Sequence, residues 1–335
     1  MPCLKMGKIE QVRTDEQMPF TFDSSLGTLR MPDGSIRFFE TDLGTKPYYF
    51  LYRGTPEDPL AEREGTFEVD YNGYADNWPS GIWVMGIVEH AGIWIGVCHR
   101  EHFLHFGEEN PNARVFNFYI GFAISQDAGL HWKYIGDVCS NVKNNCGIEP
   151  NMGGCPTLKV GKWLQFFFND YQRSGKRYIS SARCDLDECA AALKKGILPR
   201  VFKYTRDNQF NTDAQLGVGT MIIPESDTPG YDAHSNAAYC APLKKYLITV
   251  QTHGLGKLLM YQSDDAVHWE QPIVVQQVEP GSIMQPYSTF VAISTDDSTD
   301  DMTTVGREFY LYWPLKGTGN SYDHDTWYRR KFTVE

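Results

Sequence analysis

The sequence predicts an all-β chain: a five-bladed β-propeller of four-stranded antiparallel blades, formed as a single domain over residues 1–335. Three observations carry that prediction. Short aromatic and β-branched runs recur in five groups, each reading strand, turn, strand, longer loop, strand, turn, strand, at a spacing of roughly 45–70 residues. Helical character is confined to one segment. A turn sequence, Ser125-Gln126-Asp127-Ala128-Gly129-Leu130-His131-Trp132, returns in shorter form as Ser263-Asp264-Asp265-Ala266-Val267-His268-Trp269.

The first group holds Ile36-Arg37-Phe38-Phe39 and Tyr48-Tyr49-Phe50-Leu51-Tyr52. The second holds the runs beginning at Gly81, Gly92 and Tyr119, the last leading into the Ser125 turn. Thr157-Leu158-Lys159-Val160, the aromatic run from Trp163 to Phe168, and Tyr178 to Ala182 form the third. The fourth takes in Ser235 to Tyr239, Lys245 to Val250 and Lys257 to Tyr261, ending at the Ser263 turn. Ser288 to Ala292, Glu308 to Trp313 and Tyr328 to Val334 make the fifth. The helix is expected from Asp185 to Lys195, because it is acidic at its start, basic at its end and followed by Gly196. Polar insertions at 140–151 and 206–231 account for the extra length. Were the separation of the two turns to span three compact blades, the ring would have six.

Composition narrows the function classes. A net charge of −11, with no basic run beyond short pairs, speaks against nucleic acid and anionic membranes as partners. The longest apolar runs are far shorter than a membrane span. Aromatic residues make up 14%, which suits half-buried strands and surfaces that stack on sugars. The first residues, Met-Pro-Cys-Leu-Lys-Met, hold no apolar stretch of secretory length, so a cytoplasmic location is expected, with periplasm or secretion the alternative if the N-terminus is trimmed. Of eight cysteines, Cys139/Cys146 and Cys184/Cys189 are close enough in sequence to pair, whereas Cys98 and Cys240 sit inside apolar strand runs and read as buried thiols. No spacing matches a zinc ribbon or a redox Cys-x-x-Cys.

The Ser-x-Asp-x-Gly-x-x-Trp pattern at Ser125–Trp132 is similar to the Asp box of propeller outer hairpins. Its physics is local. The Asp side chain bonds the turn's own backbone, Gly takes a positive φ, and Trp tucks beneath as the next strand begins. His131 and His268, inside the two turns, are expected to be structural.

As a whole, the chain resembles the five-bladed carbohydrate-active propellers, the arabinanase/xylosidase-type and invertase-type glycoside hydrolases. Phe22-Asp23-Ser24-Ser25 followed by Pro32-Asp33-Gly34-Ser35 looks like their first-blade pattern. Tyr74-Ala75-Asp76-Asn77-Trp78-Pro79 stands where the second-blade Asp falls, and Glu149-Pro150 before Gly153-Gly154-Cys155-Pro156 resembles the third-blade pattern, with several extra residues before the strand. The resemblance implies a carboxylate trio: Asp23 as base, Asp76 as orienting group and Glu149 as acid. Glycoside cleavage needs such a set, since one carboxyl must stay protonated for the leaving oxygen while another is ionised. Each also has a plain structural reading as a turn or solvated residue.

Topology supplies a second constellation. Loops before the first strand and between the second and third strands of every blade open on one face. There lie Cys98-His99-Arg100-Glu101-His102, similar to the His-x-Glu that ends this strand in other five-bladed propellers, then Asn169-Asp170-Tyr171, Asp232-Ala233-His234, His253 and Tyr287. Glu101, Asp232 and His234 join the catalytic candidates. Trp78, His99, Arg100, Asp170, Tyr171, His253 and Tyr287 are candidate substrate binders. The plain alternative for the first cluster is an ordinary ion pair between Arg100 and Glu101. His99, His102 and His105 follow a strand rather than a helix, which argues against zinc. No cofactor is required, and a structural calcium ion in the axial channel, facing Asp232 or His234, is an option.

The expected function is hydrolysis of an oligo- or polysaccharide, by exo-action, through carboxylate acid/base catalysis on the axis. Three alternatives stand beside it. Leu29-Arg30-Met31-Pro32 echoes a sialidase, which needs three convergent arginines, here drawn from Arg30, Arg53 and Arg100. A polysaccharide lyase would use His234 or His253 with Tyr171 or Tyr287, and a non-catalytic glycan-binding propeller would need none of the acids.

Overall fold

Five separate sheets, each of four to six strands, are arranged radially as the blades of a propeller. The computed structural model describes residues 2–18, 20, 22–42, 48–74, 81–105, 114–140, 152–171, 177–205, 209–214, 219–227, 230–252, 255–278, 287–316 and 325–335. The innermost strands, in blade order, are Gly27–Arg30, Gly81–His90, Thr157–Val160, Ala237–Cys240 and Thr289–Ala292. The five groups expected from sequence are the five blades. Blade 5 completes itself with the opposite end of the chain: Leu4–Arg13 pairs antiparallel with Asp325–Val334 as its outermost strand. That strand is mostly exposed and its pattern does not alternate, so it gave no strand signal of its own.

Apolar side chains facing across blade boundaries fill the ring. One cluster joins Trp83, Val97 and Phe122 of blade 2 to Phe166, Phe168 and the helix residues Leu186, Cys189 and Leu193. Another joins Phe38 and Tyr52 of blade 1 to Phe290, Leu311 and Trp327 of blade 5. The helix runs Leu186–Lys194; the Asp185 side chain accepts from the Asp187 and Glu188 N–H groups, and Gly196 (φ 69°) ends it. Cys184 and Cys189 meet there as thiols, and Cys98 and Cys240 are buried and free.

The two repeated turns form the outer hairpins of blades 2 and 4. In the first, Ser125 Oγ donates to Asp127 Oδ1 and accepts from the Gly129 N–H, while Asp127 accepts from the His131 backbone and ring. Trp132 is 1% exposed beneath it. The second repeats the scheme around Asp265 with His268. In each, an alanine takes the left-handed conformation, Ala128 at φ 57° and Ala266 at φ 59°, costing roughly 1–2 kcal/mol that the side-chain bonds offset.

The ring is pinned at the C-terminal ends of its inner strands by the segment after Ala292. Asp301 is the pin. Its carboxylate accepts from the Glu89 N–H of blade 2, from Thr299, Thr303 and from Lys159 Nζ of blade 3 at 2.6 Å. The neighbouring residues reach the other blades: Asp300 O accepts from the Arg30 N–H, and Thr303 O from the Tyr239 N–H. Met302, in the left-handed region at φ 56°, packs beneath the axis and leaves a cavity of about 20 Å³ lined also by Thr28, Thr157 and Asn236. Among the described residues, the axial space at this end is therefore narrow. Burial by itself pushes the Asp301 carboxyl up; Lys159 and the two threonine hydroxyls outweigh it and hold the group below the usual carboxylate range.

Two outcomes follow from this packing. Trp132→Ala should cost about 3–5 kcal/mol of stability, the scale of large aromatic truncation in a core, read as a denaturant midpoint; a loss within experimental error would show that Trp132 does not support the hairpin. Asp301→Ala should cost about 2–4 kcal/mol, below the full penalty for a stranded charge because Lys159 keeps contact with water. Since the folded carboxyl titrates below its unfolded value, its contribution is present above about pH 4 and lost as pH falls through the folded value. The difference between wild type and variant should shrink in acid, and an equal difference at neutral pH and near pH 3 would contradict the assignment.

Candidate active site

The other end of the axis, at the N-terminal ends of the inner strands, gathers polar groups from all five blades. Blade 2 contributes His99 and Glu101 from the strand Ile93–His105. Residues two apart share a face of a strand, so both point the same way, and His99 lies opposite Trp83 in register. His99 Nε2 is 3.2 Å from Glu101 Oε1. Its ring stacks on Phe118 at a centroid distance of 5.5 Å, and Nδ1 is buried. Burial holds the imidazole below the ordinary histidine range; Glu101 and the nearby Met152 carbonyl pull the other way, and His234 acts with burial.

Blade 4 contributes the Asp232–His234 pair. Asp232 Oδ1 accepts from the His234 backbone N–H at 2.7 Å and lies 2.5 Å from His234 Nδ1. The His234 ring meets His99 edge to face at 5.2 Å and Tyr287 of blade 5 at 6.2 Å. The Tyr287 hydroxyl reaches Asp23 Oδ1 of blade 1 at 3.5 Å. Blade 3 supplies Asn169, whose Oδ1 accepts from the Ala233 N–H. A continuous path therefore runs Asp23, Tyr287, His234, His99, Glu101. It places carboxylates at both ends of a row of three rings.

Of the residues expected here, Asp23, Glu101, Asp232, His234, His99 and Tyr287 come together. Asp76, Trp78, Glu149, His253 and the Tyr171 side chain lie outside the described residues. Arg100 does not join the cluster. It sits one residue from His99 and Glu101 and so projects from the opposite face, where it makes a bidentate pair with Asp137 at 2.7 Å for both bonds and covers the Tyr119 ring. The simple Arg100–Glu101 ion pair is not formed. Asp170 likewise departs from its neighbour Asn169: it shares the face of Phe166 and Phe168 and is fully buried toward blade 2. Burial raises its carboxyl above the usual range, with the Lys203 charge and the Gly219 N–H opposing.

The three arginines of a carboxylate clamp diverge. Arg30 bonds the Ala292 carbonyl, Arg53 lies 3.7 Å from Asp33, and Arg100 holds Asp137. His102 falls on the opposite face of the strand from His99, and among the described residues no group of three or more His, Cys, Asp or Glu is placed to hold a metal ion. Asn169 and Gly153, which stand in runs on the expected face but are not among the candidate site residues, and Phe118 are further neighbours of the site. The Gly153-Gly154 pair before a strand was the available signal, because adjacent glycines there permit close backbone approach.

No protein-family profile matches this sequence, and no curated protein matches it significantly. Solved structures do match in fold. The catalytic domain of a GH62 α-L-arabinofuranosidase from Coprinopsis cinerea superposes with a TM-score of 0.54 at 11% identity, covering 97% of this chain and 95% of that one. A family 117 glycoside hydrolase from the marine bacterium Zobellia galactanivorans gives 0.53 at 10% identity over 98% and 90%. An α-L-arabinofuranosidase from Podospora anserina, in complex with cellotriose, gives 0.53 at 10% identity over 98% and 97%. At such identities the likeness establishes the five-bladed architecture.

The buried His99 has a consequence for acid stability. Its folded state binds a proton less readily than the unfolded chain, so stability should fall as pH drops through about 6.5. His99→Phe, which keeps a ring in place, should flatten that part of the curve between roughly pH 7 and pH 5. Identical slopes for the two proteins in urea unfolding would show that His99 carries its charge when folded.

Proposed function

We propose that this chain is a glycoside hydrolase acting on an oligo- or polysaccharide in the axial pocket. The observation that carries the reading is the convergence of Asp23, Glu101, Asp232, His99, His234, Tyr287 and Asn169 from five blades onto one end of the axis. Architectures of this kind, in the solved neighbours, belong to glycoside hydrolases. The axial space beside Met302 is small, about 20 Å³, and a narrow far end supports a site that takes a chain terminus, hence exo-action.

Two carboxyl groups must flank the scissile bond. Asp23, half-buried and touched by Tyr287, serves as the ionised member that activates water or attacks the anomeric carbon. The acid comes from Glu101, which can exchange its proton with His99 Nε2, or from Glu149, the acid that the third-blade resemblance implies. His234 and Tyr287 then bind sugar hydroxyls. With Asp76 the orienting group of the trio and Trp78, Tyr171 and His253 binding substrate, the remaining candidates keep supporting roles.

One observation favours a second reading. Asp232 against His234 Nδ1, beside the Tyr287 ring, is the pairing a lyase would use to take a proton next to a uronate carboxylate.

Variant kinetics separate the two. For the hydrolase, Asp23→Asn and Glu101→Gln should each lower kcat by roughly 10²–10⁴, the scale of a positioned acid or base, with little change in melting temperature. His234→Ala should mainly raise KM. Full activity in Glu101→Gln together with a collapse in Glu149→Gln would move the acid to Glu149. Full activity in the Asp23 variant, with products absorbing in the ultraviolet as unsaturated uronates, would replace the hydrolase with the lyase.

A further inference from the structure

Asn169 is fully buried, yet each of its polar contacts goes to residues that shape the His234 site. Its backbone N–H donates to the Gly153 carbonyl at 2.9 Å, extending the pairing of blade 3 upward beyond Thr157. Its side-chain Oδ1 accepts from the Ala233 N–H of blade 4 at 2.9 Å. A backbone N–H can only donate, so this bond fixes which way the amide is turned. The amide nitrogen then faces His234, 3.5 Å from Nδ1. Asp232, a better acceptor at 2.5 Å, claims the Nδ1 proton. Two donors facing each other do not bond, and the Asn169 amide acts there as a stop against which the ring rests.

The same edge of the ring is also bounded by glycine. A Cβ on Gly153 would lie 2.2 Å from His234 Cε1 and 2.7 Å from Nε2, and one on Gly154 would lie 2.2 Å from the Ala233 carbonyl oxygen. Gly154 is also left-handed, at φ 70°. No side chain fits between the blade 3 backbone and the imidazole, so the ring cannot tilt toward blade 3.

We infer that Asn169 is a positioning residue which, with the Gly153–Gly154 backbone, carries blade 4's His234 to the axis and sets its ring against Asp232, so that Asp232 holds the Nδ1–H tautomer and Nε2 is left as the ring's acceptor. His234 then receives a hydrogen bond from a substrate hydroxyl rather than giving one. This assignment deepens the proposed function and rests on His234 being part of the substrate site. Asn169 reaches no substrate itself; it acts through His234.

The test begins without substrate. Nitrogen-15 NMR of histidine-labelled protein, with the His234 signals assigned by their loss in His234→Ala, distinguishes a protonated Nδ1 from a protonated Nε2 in the neutral ring. Wild type should show the Nδ1–H pattern. Asn169→Ala and Asn169→Ser, which cannot reach the Ala233 N–H, should shift His234 toward a mixed or Nε2–H pattern. Asn169→Asp, which retains an acceptor for Ala233, should preserve it, and Gly153→Ala should disturb it by crowding the ring at Cε1. The rim residues His131 and His268 report folding, since their signals should stay unchanged throughout. On any oligosaccharide the enzyme cleaves, Asn169→Ala should raise KM roughly tenfold or more with a smaller change in kcat, the pattern of lost binding rather than lost chemistry. A wild-type His234 pattern in folded Asn169→Ala or Asn169→Ser would overturn the inference, as would an Nε2–H pattern in wild type. Absence of glycan cleavage would sink the hydrolase reading alone and leave the NMR result standing.

Discussion

The Asp301 carboxylate is the contact on which the ring depends. The blades are separate sheets, so no continuous ladder of backbone hydrogen bonds runs around the axis. Apolar packing between blades is strong but has little directional preference. Asp301 and its neighbours supply direction: one segment of blade 5 bonds Arg30, Glu89, Lys159 and Tyr239, one residue near the end of each other inner strand. A buried carboxylate persists at such a point only because every oxygen is engaged and a cation is paired with it. With one end of the inner strands fixed around Asp301 and Met302, the opposite ends are free to gather polar groups at the axis.

Strand parity then decides which residues enter that pocket. His99 and Glu101 face the axis cluster while Arg100 between them turns to Asp137. Asn169 turns to blade 4 while Asp170 is buried toward blade 2. The same alternation that builds the apolar clusters thus sorts the polar residues at strand ends into two populations, one at the axis and one locked between blades. The axis cluster carries three carboxylates and two imidazoles, one of them shifted by burial below the ordinary histidine range. Such a set can hold protons at several positions, which is what acid/base chemistry on a glycosidic bond requires.

Much of this was legible in the sequence. Five groups of strand runs became five blades, because period-two alternation and turn residues report strands well when blades are short and regular. The helix from Leu186 followed from Asp185 and Gly196, and the paired turns from Asp127 and Asp265. The strand Leu4–Arg13 escaped because its partner lies at the far end of the chain and one face is solvent. Arg100 and Asp170 were drawn into the site by their neighbours in sequence; what removes them is the direction of each side chain, which needs the register of the sheet. Asn169 and Gly153 matter through contacts between blades 3 and 4, 64 to 81 residues apart in the chain, and no local pattern encodes such a meeting.

Digestion of a panel of defined oligosaccharides in oxygen-18 water, read by mass, reaches the central claim most directly. Hydrolysis at the axial pocket predicts single sugars or short units released from a chain end, each cleaved bond adding one labelled water, and loss of that release in Asp23→Asn. Products that gain no water, or an untouched panel to which the protein binds unchanged sugars, would contradict the account.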